Sequence, residues 1–481
     1  MELLQQLRDA IGTAHVLTGA DMAPWDSDWL GTYHNTPLAV LRPGSTRDVQ
    51  AIMAIAHNTG TPVVPVSGNT GLAGGAHASD GSLMLSLSRI NRIRDIRPDA
   101  RVAIVDGGVV LETLQAAVAA HDLEFPMSFG AKGSCMIAGM LATNAGGSNV
   151  VRHGNTRDLC IGIEAVLPNG DLLDLMSELH KDNSGYDLRD LLIGSEGTLA
   201  VITGAVLKLV PAPKARATAM LAVASLGDAL SILNRLQDAT GGAVEAFEYM
   251  PDRYFDALLE KHPDQRPPFA ESYAINILTE IGSTIERDAI PGDDGSIPLT
   301  NRLEEVLASF MEDDAILDAN IAQNDAQRIR MWHMRESVAE VVLSRDPLVN
   351  NDIALPLDQV EPFLTRMGGE MQQVDPDAEV IEVAHLGDGN IHYTVFPSAP
   401  ALVDPIMERV EDVTLSMGGS FSAEHGIGLS KLPSMRRRKD KIALAVMRQI
   451  KQALDPKGIM NPGKVLPEKP IGVPIATALP G

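Results

Sequence analysis

The chain has 481 residues, too many for one ordinary hydrophobic core, so two or three domains are expected. Hydrophobic residues make up 45% of it and charged residues 21%, which excludes a wholly disordered protein. The formal net charge of −24 argues against nucleic acid or an anionic membrane surface as a partner, and an anionic substrate would need locally placed cations.

The first segment, 1–12, predicts a short amphipathic helix, not a signal peptide, and no uncharged stretch is long enough to span a bilayer. Cys135 and Cys160 are the only cysteines, and their spacing fits neither an iron–sulfur cluster nor a thiolate zinc site. We therefore expect a soluble, cytoplasmic protein.

The first part of the chain alternates predicted strands and helices, an α/β arrangement. A helix begins at Ser45 or Thr46 and ends at Gly60, because its apolar residues recur at helical spacing between a capping residue and a glycine. Strands are predicted at 38–41, 62–66, 83–87 and 102–105, a helix at 111–120, and a hairpin at 161–175.

Two prolines in the segment 211–214 break either kind of element and mark a domain boundary. Beyond it the sequence predicts a helix at 326–340 and a strand hairpin at 380–396. The residues 467–481 contain four prolines and no periodic pattern, so a flexible tail is expected there.

Three glycine-dense loops, at 65–75, 130–147 and 192–202, lie beside apolar segments. Glycine allows positive φ and lets backbone N–H groups converge on an anion. Neither G-x-G-x-x-G nor G-x-x-x-x-G-K-[ST] occurs, which disfavours a nicotinamide or P-loop site. The first loop alone could be a tight structural turn, but three such loops suggest one extended ligand with a diphosphate.

Two histidines flank a Gly-Asp-Gly-Asn sequence in the predicted hairpin. If 388–389 forms a two-residue type I′ turn, Gly387 pairs with Asn390. His385 then lies directly opposite His392, and the two imidazoles share one face of the hairpin. They are candidate metal ligands, although two histidines on a solvated hairpin face would also fit the pattern.

A third ligand could come from Glu424, which lies beside His425 in a glycine-flanked loop. Two histidines and one glutamate suit Zn²⁺ with an open position, and Mn²⁺ or Fe²⁺ also remain open. Gly426 would allow the turn that brings Glu424 and His425 to one site. Arg328, Arg330 and Arg335 lie in the predicted helix at 326–340. Most arginines on a helix are solvated surface groups.

In this order, the glycine loops and the segment 181–187 resemble the vanillyl-alcohol-oxidase type of FAD flavoprotein, and more narrowly its D-2-hydroxyglutarate and D-lactate dehydrogenase branch. The likeness runs from about 38 to 464. It implies an α+β fold with a two-subdomain FAD-binding domain at 1–211. A substrate-binding domain with an antiparallel sheet and flanking helices would follow at 212–420, and a C-terminal segment at 421–466 would pack on the flavin site.

The resemblance also implies roles for individual residues. The metal ligands would be His385, His392 and Glu424, with His425 as the catalytic base. The substrate would be bound by Arg335, Asn350 and His425. Thr70 stands where some relatives attach flavin through histidine, so non-covalent FAD is expected. The expected FAD contacts are Val66, Ser67, Gly68, Asn69, Thr70, Gly71, Ser134, Asn144, Gly147, Glu196, Gly197, Ile202 and Asn461.

The expected reaction is oxidation of a D-2-hydroxy acid, with hydride transfer to the flavin N5. Electrons would pass to an electron-transfer protein or a quinone, since no nicotinamide motif is present, and we expect a homodimer. Family enzymes specific for D-2-hydroxyglutarate carry a hydroxyl residue, a lysine and an asparagine where this chain has Ala339, Asn350 (or Asn351) and Thr394.

These departures favour a D-lactate-like or broader substrate, with D-2-hydroxyglutarate as the alternative, because a second carboxylate would be poorly paired. Two functions of other classes also remain open. The same His-His-Glu set could serve a metallohydrolase, and the glycine loops could belong to a catalytically silent flavin-binding protein.

Overall fold

The computed structural model describes residues 2–343 and 345–468, so most of the predicted tail, from 469 onward, lies outside the described residues. The strands are β1 Val16–Leu17, β2 Ala39–Leu41, β3 Val63–Val66, β4 Leu83–Ser86, β5 Ile93–Arg97, β6 Val102–Asp106, β7 Leu123–Glu124, β8 Cys160–Val166, β9 Leu172–Leu175, β10 Val201–Lys208, β11 Val210–Pro211, β12 Ala215–Ala222, β13 Val244–Pro251, β14 Ile275–Ser283, β15 Asp318–Ile321, β16 Val349–Ala354, β17 Glu379–His385 and β18 Asn390–Phe396.

The α-helices are α1 Glu2–Ile11, α2 Thr46–Thr59, α3 Leu111–Ala119, α4 Ile137–Thr143, α5 Val150–His153, α6 Thr156–Leu159, α7 Leu188–Leu192, α8 Leu226–Thr240, α9 Asp252–Lys261, α10 Pro298–Glu312, α11 Asp325–Glu336, α12 Val338–Val342, α13 Val360–Val374, α14 Val403–Ser416, α15 Leu432–Arg438 and α16 Lys441–Leu454.

The first part of the chain contains the short pair β11-β7 and two main sheets, which share one hydrophobic core. The smaller sheet has the order β1-β2-β4-β3, with β4 parallel to both β2 and β3. Helix α2 begins as predicted, because the Ser45 side chain accepts a hydrogen bond from the Asp48 N–H, and it ends at Gly60 with φ 69°. The larger sheet is antiparallel, β5-β6-β10-β8-β9, and includes the predicted hairpin β8–β9.

The second part is built on a seven-stranded antiparallel sheet with the order β15-β12-β14-β13-β17-β18-β16. One face packs against α8, α10, α13 and α14, and these elements share one apolar core. On the other face α9, α11 and α12 cover a second apolar cluster. Successive side chains of a strand point to opposite faces, so the rest of this second face is free to present polar residues.

The helix predicted at 326–340 is two helices, α11 and α12, that meet at Ser337. The Ser337 hydroxyl donates to the carbonyl oxygen of His333 at 2.8 Å, a local bond that competes with the regular helical pattern. The single predicted helix is therefore wrong at this point. The break redirects the chain just after Arg335.

The two parts are joined by a buried ion pair and by the C-terminal segment. Arg152 of α5 donates to Glu245 of β13 at 2.9 Å, and Glu245 is 3% exposed. After α16 the chain returns to the first part, where the Asn461 N–H donates to the carbonyl of Val63. Among the described helices, none combines the length and the apolar character needed to cross a membrane.

Candidate active site

A cavity of about 1080 Å³ lies where the two parts of the chain meet. Its walls come from the glycine loops of the first part, from α11 and α12, and from the part of the seven-stranded sheet that carries His385, His392 and Thr394. This volume slightly exceeds the usual range for small-molecule sites, about 300–1,000 Å³, and it suits an extended ligand.

The glycine loops form one wall of this cavity. Of the residues expected to contact FAD, the following line it: Ser67, Gly68, Asn69, Thr70, Gly71, Ser134, Glu196, Gly197 and Ile202. At Gly68 a Cβ atom would lie 2.2 Å from the carbonyl oxygen of Ser134, so only glycine lets the first two loops approach this closely. The wall therefore has the close-set backbone that a diphosphate group requires.

Four of the expected FAD contacts lie behind this wall, and their contact with a cofactor stays a prediction. Val66 is buried in β3, and Asn144 ends α4 with φ 53° and accepts from the Arg157 N–H. Gly147 packs against the Ser128 carbonyl. The Asn461 side-chain amide donates to the carbonyl of Gly75 at 2.9 Å and to that of Glu196 at 2.8 Å. These residues hold the loops in shape.

The histidine hairpin differs in register from the prediction. His385 pairs with Asn390, and Val383 pairs with His392, so the type I′ turn with His385 directly opposite His392 is wrong. The N–H groups of Asp388 and Gly389 both bond to the His385 carbonyl, which makes the connection a four-residue loop. The two histidines still share one face as diagonal neighbours, with ring centroids 5.5 Å apart.

The two imidazoles converge on one carboxylate oxygen. Glu424 Oε1 lies 3.6 Å from His385 Nε2 and 3.4 Å from His392 Nε2. Tetrahedral zinc with bonds of about 2.0–2.2 Å places its ligand atoms about 3.3–3.5 Å apart. Both separations are close to those expected between ligands of one divalent metal ion.

Glu248 of β13 supports this set of ligands. Its carboxylate accepts from His385 Nδ1 at 2.8 Å and from Arg335 Nε at 2.8 Å. Burial alone would raise the pKa of Glu248, but the neighbouring His385 and Arg335 lower it, so the carboxylate stays charged. A carboxylate on the far nitrogen of a ligating histidine is the usual second partner of a metal site.

Asp352 holds the loop that carries Glu424 and His425. Its carboxylate accepts from the backbone N–H of Glu424 at 3.2 Å and of His425 at 2.8 Å. It also accepts from Lys431 Nζ at 3.2 Å and from Asn390 Nδ2 at 3.1 Å. Asp352 is thus fully engaged, although it lies within 4.8 Å of the His392, Glu424 and His425 atoms that could hold a metal ion. The choice of His385 as the third ligand stays a prediction.

His425 stacks on His392 with ring centroids 5.5 Å apart, and its Nδ1 lies 3.6 Å from Asp352 Oδ2. Burial lowers the pKa of His425, and the Asp352 carboxylate offsets part of this effect. A neutral imidazole beside a carboxylate can accept a proton and be stabilised once it is charged.

The same loop is also held from the first part of the chain. The Glu196 carboxylate accepts from the Ile427 N–H at 2.8 Å and from the Gly428 N–H at 2.7 Å. Gly426, just before these two residues, has φ 75°, and a Cβ there would lie 2.9 Å from the Glu196 carboxylate. Glu196 therefore joins the glycine loops to His425, in addition to lining the cavity.

Sequence reasoning missed the supporting roles of Glu248, Asp352 and Lys431. For Glu248 a signal exists, because a charged residue inside the apolar strand Val244–Pro251 must be paired when it is buried. Asp352 likewise lies in a strand whose neighbours Asn351 and Ile353 are buried. Neither signal shows which partner each carboxylate has, since the pairs are more than seventy residues apart.

The expected substrate residues Arg335 and Asn350 also line the cavity. Arg335 is 7% exposed, and Ala339, Asn350 and Thr394 lie in the same wall. The Thr394 hydroxyl donates to Asn350 Oδ1 at 3.3 Å. The residues that the sequence singled out for substrate selection are thus brought together.

Two family profiles match the chain. The first is described as the FAD binding domain and matches residues 37–176. The second is described as the C-terminal domain of FAD linked oxidases and matches residues 212–465. Together they cover most of the chain, including the first two glycine loops and the histidine hairpin.

The chain is similar to curated enzymes along almost its whole length. It is 35% identical to the D-2-hydroxyglutarate dehydrogenase of Xanthomonas citri pv. viticola, over 93% of each chain. It is 36% identical to the mitochondrial D-2-hydroxyglutarate dehydrogenase of Bos taurus, over 93% of this chain and 80% of the bovine one. A relative in Stutzerimonas stutzeri with the same name is 31% identical, over 96% of this chain and 98% of the relative.

Solved structures confirm the expected fold class. p-Cresol methylhydroxylase with substrate bound superposes with a TM-score of 0.73 at 13% identity, over 96% of each chain. The 4-ethylphenol oxidase of Gulosibacter chungangensis superposes with a TM-score of 0.69 at 18% identity, over 97% of each chain. At such low identity these two structures support the fold alone.

Proposed function

The chain belongs to the family of FAD-linked oxidases, and on this premise we propose that it is an FAD- and divalent-metal-dependent dehydrogenase of D-2-hydroxyglutarate. The observation that carries the proposal is that one cavity joins the glycine loops to His385, His392, Glu424 and Arg335. The names of the relatives favour D-2-hydroxyglutarate over the D-lactate-like acid that Ala339 and Asn350 led us to expect.

The residues present fit both cofactors. His385, His392 and Glu424 would hold the metal ion, and the glycine loops would hold FAD without a covalent bond. When bound, the ion supplies electrostatic stabilisation of the alcohol oxygen as it loses its proton, and FAD supplies a hydride acceptor. The remaining tasks of binding, orientation and proton transfer belong to side chains.

Arg335 would bind the carboxylate beside the reacting carbon. Its Nε donates to Glu248, which fixes the guanidinium and leaves its two terminal nitrogens for the substrate. Such a planar pair of donors matches a carboxylate in a bidentate manner. Arg335 Nη2 lies 3.5 Å from His385 Nε2, so a substrate held here has its C2 hydroxyl close to the ligand set.

His425 would act as the general base. Its lowered pKa leaves the imidazole neutral near pH 7, ready to take the hydroxyl proton as the hydride leaves C2. Asp352 would stabilise the imidazolium that results. The substrate loses one proton and one hydride and becomes 2-oxoglutarate. We propose an electron-transfer protein or a quinone as the final acceptor.

The test is anaerobic reduction of the purified flavoprotein. We expect D-2-hydroxyglutarate to bleach the flavin spectrum, a chelator to stop the bleaching, and Zn²⁺ or Mn²⁺ to restore it. His425→Ala should keep its flavin but lose about 10²–10⁴-fold in reduction rate. The matched control is His180→Ala, at an exposed position, which should behave like the parent.

Two outcomes would contradict the proposal. Purified protein without flavin would favour a metallohydrolase, and a flavoprotein that no D-2-hydroxy acid reduces would favour a silent flavin-binding protein. Normal reduction by His425→Ala would overturn only the role of that residue.

A further inference from the structure

Two cations line the cavity among the residues that the structure describes, Arg335 and Lys261. Its bond to Glu248 holds Arg335 at the end of the cavity that contains the proposed metal ligands. Lys261 takes part in none of the contacts described above, and its side chain is 31% exposed. Glu336 and Glu340 also line the cavity, so a dianionic substrate would be repelled there without a second local cation.

Helix α9 places Lys261 on the same wall as Arg335. The Tyr254 hydroxyl of α9 donates to the Met334 carbonyl, and Lys261 Nζ at the end of α9 donates to the Glu340 carbonyl at 2.6 Å. Helix α9 therefore lies alongside α11 and α12, with Lys261 beyond Arg335 in the direction of α12. Glu340 follows Arg335 by five residues, across the break at Ser337, and both cations line the same cavity.

Lys261 has donors to spare. Its ammonium group carries three N–H donors, of which one is used by the Glu340 carbonyl. The Glu340 carboxylate lies 3.9 Å away, too far for a good hydrogen bond, and it also contacts His262 Nε2 at 3.4 Å. The ammonium group can therefore bind a ligand without breaking its contact with the protein.

The neighbouring wall has space for a second carboxylate. Ala339 precedes Glu340 in α12 and fills little of the cavity, and Asn350 faces the same space. Because Asn350 Oδ1 accepts from Thr394, its amide nitrogen remains to donate to a ligand. Lys261 thus lines the same cavity as Ala339 and Asn350, two of the positions where this chain departs from its family.

We propose that Lys261 binds the distal carboxylate of the dicarboxylic substrate and selects it over monocarboxylic acids. The inference rests on the proposed function and explains how the diacid is paired in a chain that has Ala339 and Asn350. In this arrangement Arg335 binds the carboxylate beside the reacting carbon. Lys261 and the amide of Asn350 bind the distal carboxylate.

The test compares D-2-hydroxyglutarate with D-2-hydroxypentanoate, which has the same carbon chain but a methyl group in place of the distal carboxylate. Lys261→Met should lower the ratio of kcat/KM for the diacid to that for the monoacid by about tenfold or more, mainly through KM of the diacid. Lys261→Arg should retain most of the ratio. Lys214→Met, which removes a surface lysine paired with Asp122, should leave the ratio as in the parent.

A binding measurement gives the same comparison without turnover. Titration of the oxidised flavoprotein with 2-oxoglutarate, followed by flavin absorbance, should give a weaker Kd in Lys261→Met, while 2-oxopentanoate binding changes less. A selectivity ratio and a 2-oxoglutarate Kd within twofold of the parent would overturn the inference. If neither hydroxy acid reduces the parent flavin, the proposed function itself has failed.

Discussion

At the scale of single residues, Glu248 fixes the site by bonding two groups at once. It holds His385 through Nδ1 and Arg335 through Nε, so one buried carboxylate sets the positions of the proposed metal ligand and of the proposed substrate arginine. The bond to Nδ1 also decides which histidine nitrogen is left for the ion, since Nε2 then points to Glu424.

Glu248→Gln should weaken binding of the divalent ion about 10–100-fold, because the amide keeps the shape but loses the charge that orients His385. Competition with a chromogenic chelator measures the affinity, and the flavin spectrum reports whether the fold is kept. The matched control is Glu245→Gln on the same strand, where the carboxylate contacts Arg152 and Arg216. Equal ion affinities in the two variants would count against the role of Glu248.

That His385, His392, Glu424 and His425 lie together could be predicted, the last two through the family resemblance, but the residues that support them could not. Their binding of a metal ion stays a prediction. His385, His392, Glu424 and His425 lie in short glycine-flanked segments whose pattern is local. Glu248 and Asp352 are two of 63 acidic residues, and their roles depend on the register between strands that are distant in the chain. Register is set by packing across the whole sheet, so local spacing does not reveal it.

At the scale of elements, the loop at 422–428 is anchored from both parts of the molecule. Asp352 of β16 holds the backbone of Glu424 and His425, and Glu196 holds the backbone of Ile427 and Gly428. The loop has no regular structure of its own, so these carboxylates replace the hydrogen bonds that a helix or sheet would supply.

Gly426→Ala should therefore lower the rate of flavin reduction about 10–100-fold while flavin stays bound, because the added methyl group displaces the loop from Glu196. Gly418→Ala is the matched control. Gly418 also has positive φ, at 80°, but a Cβ there would meet its nearest neighbour only at 4.0 Å. A similar loss of rate in both variants would trace the effect to backbone strain alone.

Elements were predicted best where the signal lies within the element. The boundaries of α2 follow from Ser45 and Gly60, which lie at its two ends. The hairpin β17–β18 was predicted as an element, but its turn was wrong. A Gly-Asp-Gly-Asn sequence can form either a two-residue or a four-residue connection between strands. In this chain the connection has four residues, and one of them, Leu386, is buried at 1% exposure.

At the scale of the whole molecule, α5 and β13 form part of the contact between the two halves. His153 at the end of α5 lies close to the Arg152–Glu245 pair. Burial, reinforced by the charges of Arg152 and Arg216, lowers the pKa of His153 from 6.5 to about 4. The folded protein therefore keeps this histidine neutral in a range where the unfolded chain binds a proton.

Stability that depends on neutral His153 should be complete above about pH 6.5 and lost as the pH falls towards about 4. A shift of this size corresponds to about 3 kcal/mol, which we reduce to about 1–2 kcal/mol because the side chain is partly exposed. Between pH 7 and 4, the free energy of unfolding measured with urea should fall by that much less in His153→Gln than in the parent. His180→Gln is the exposed control, and parallel curves for all three proteins would refute the assignment.

The two anchors of the loop at 422–428 also connect the occupancy of the two cofactor sites. Glu196 belongs to the wall proposed for FAD, and Glu424 belongs to the proposed metal ligands. Binding of either cofactor would therefore order part of the loop at 422–428, and the second cofactor would have less of the loop left to order. Such coupling is reciprocal: any factor by which the ion tightens flavin binding is the factor by which flavin tightens ion binding. If both cofactors bind as proposed, we expect assembly of the holoenzyme to be cooperative and loss of one cofactor to weaken binding of the other.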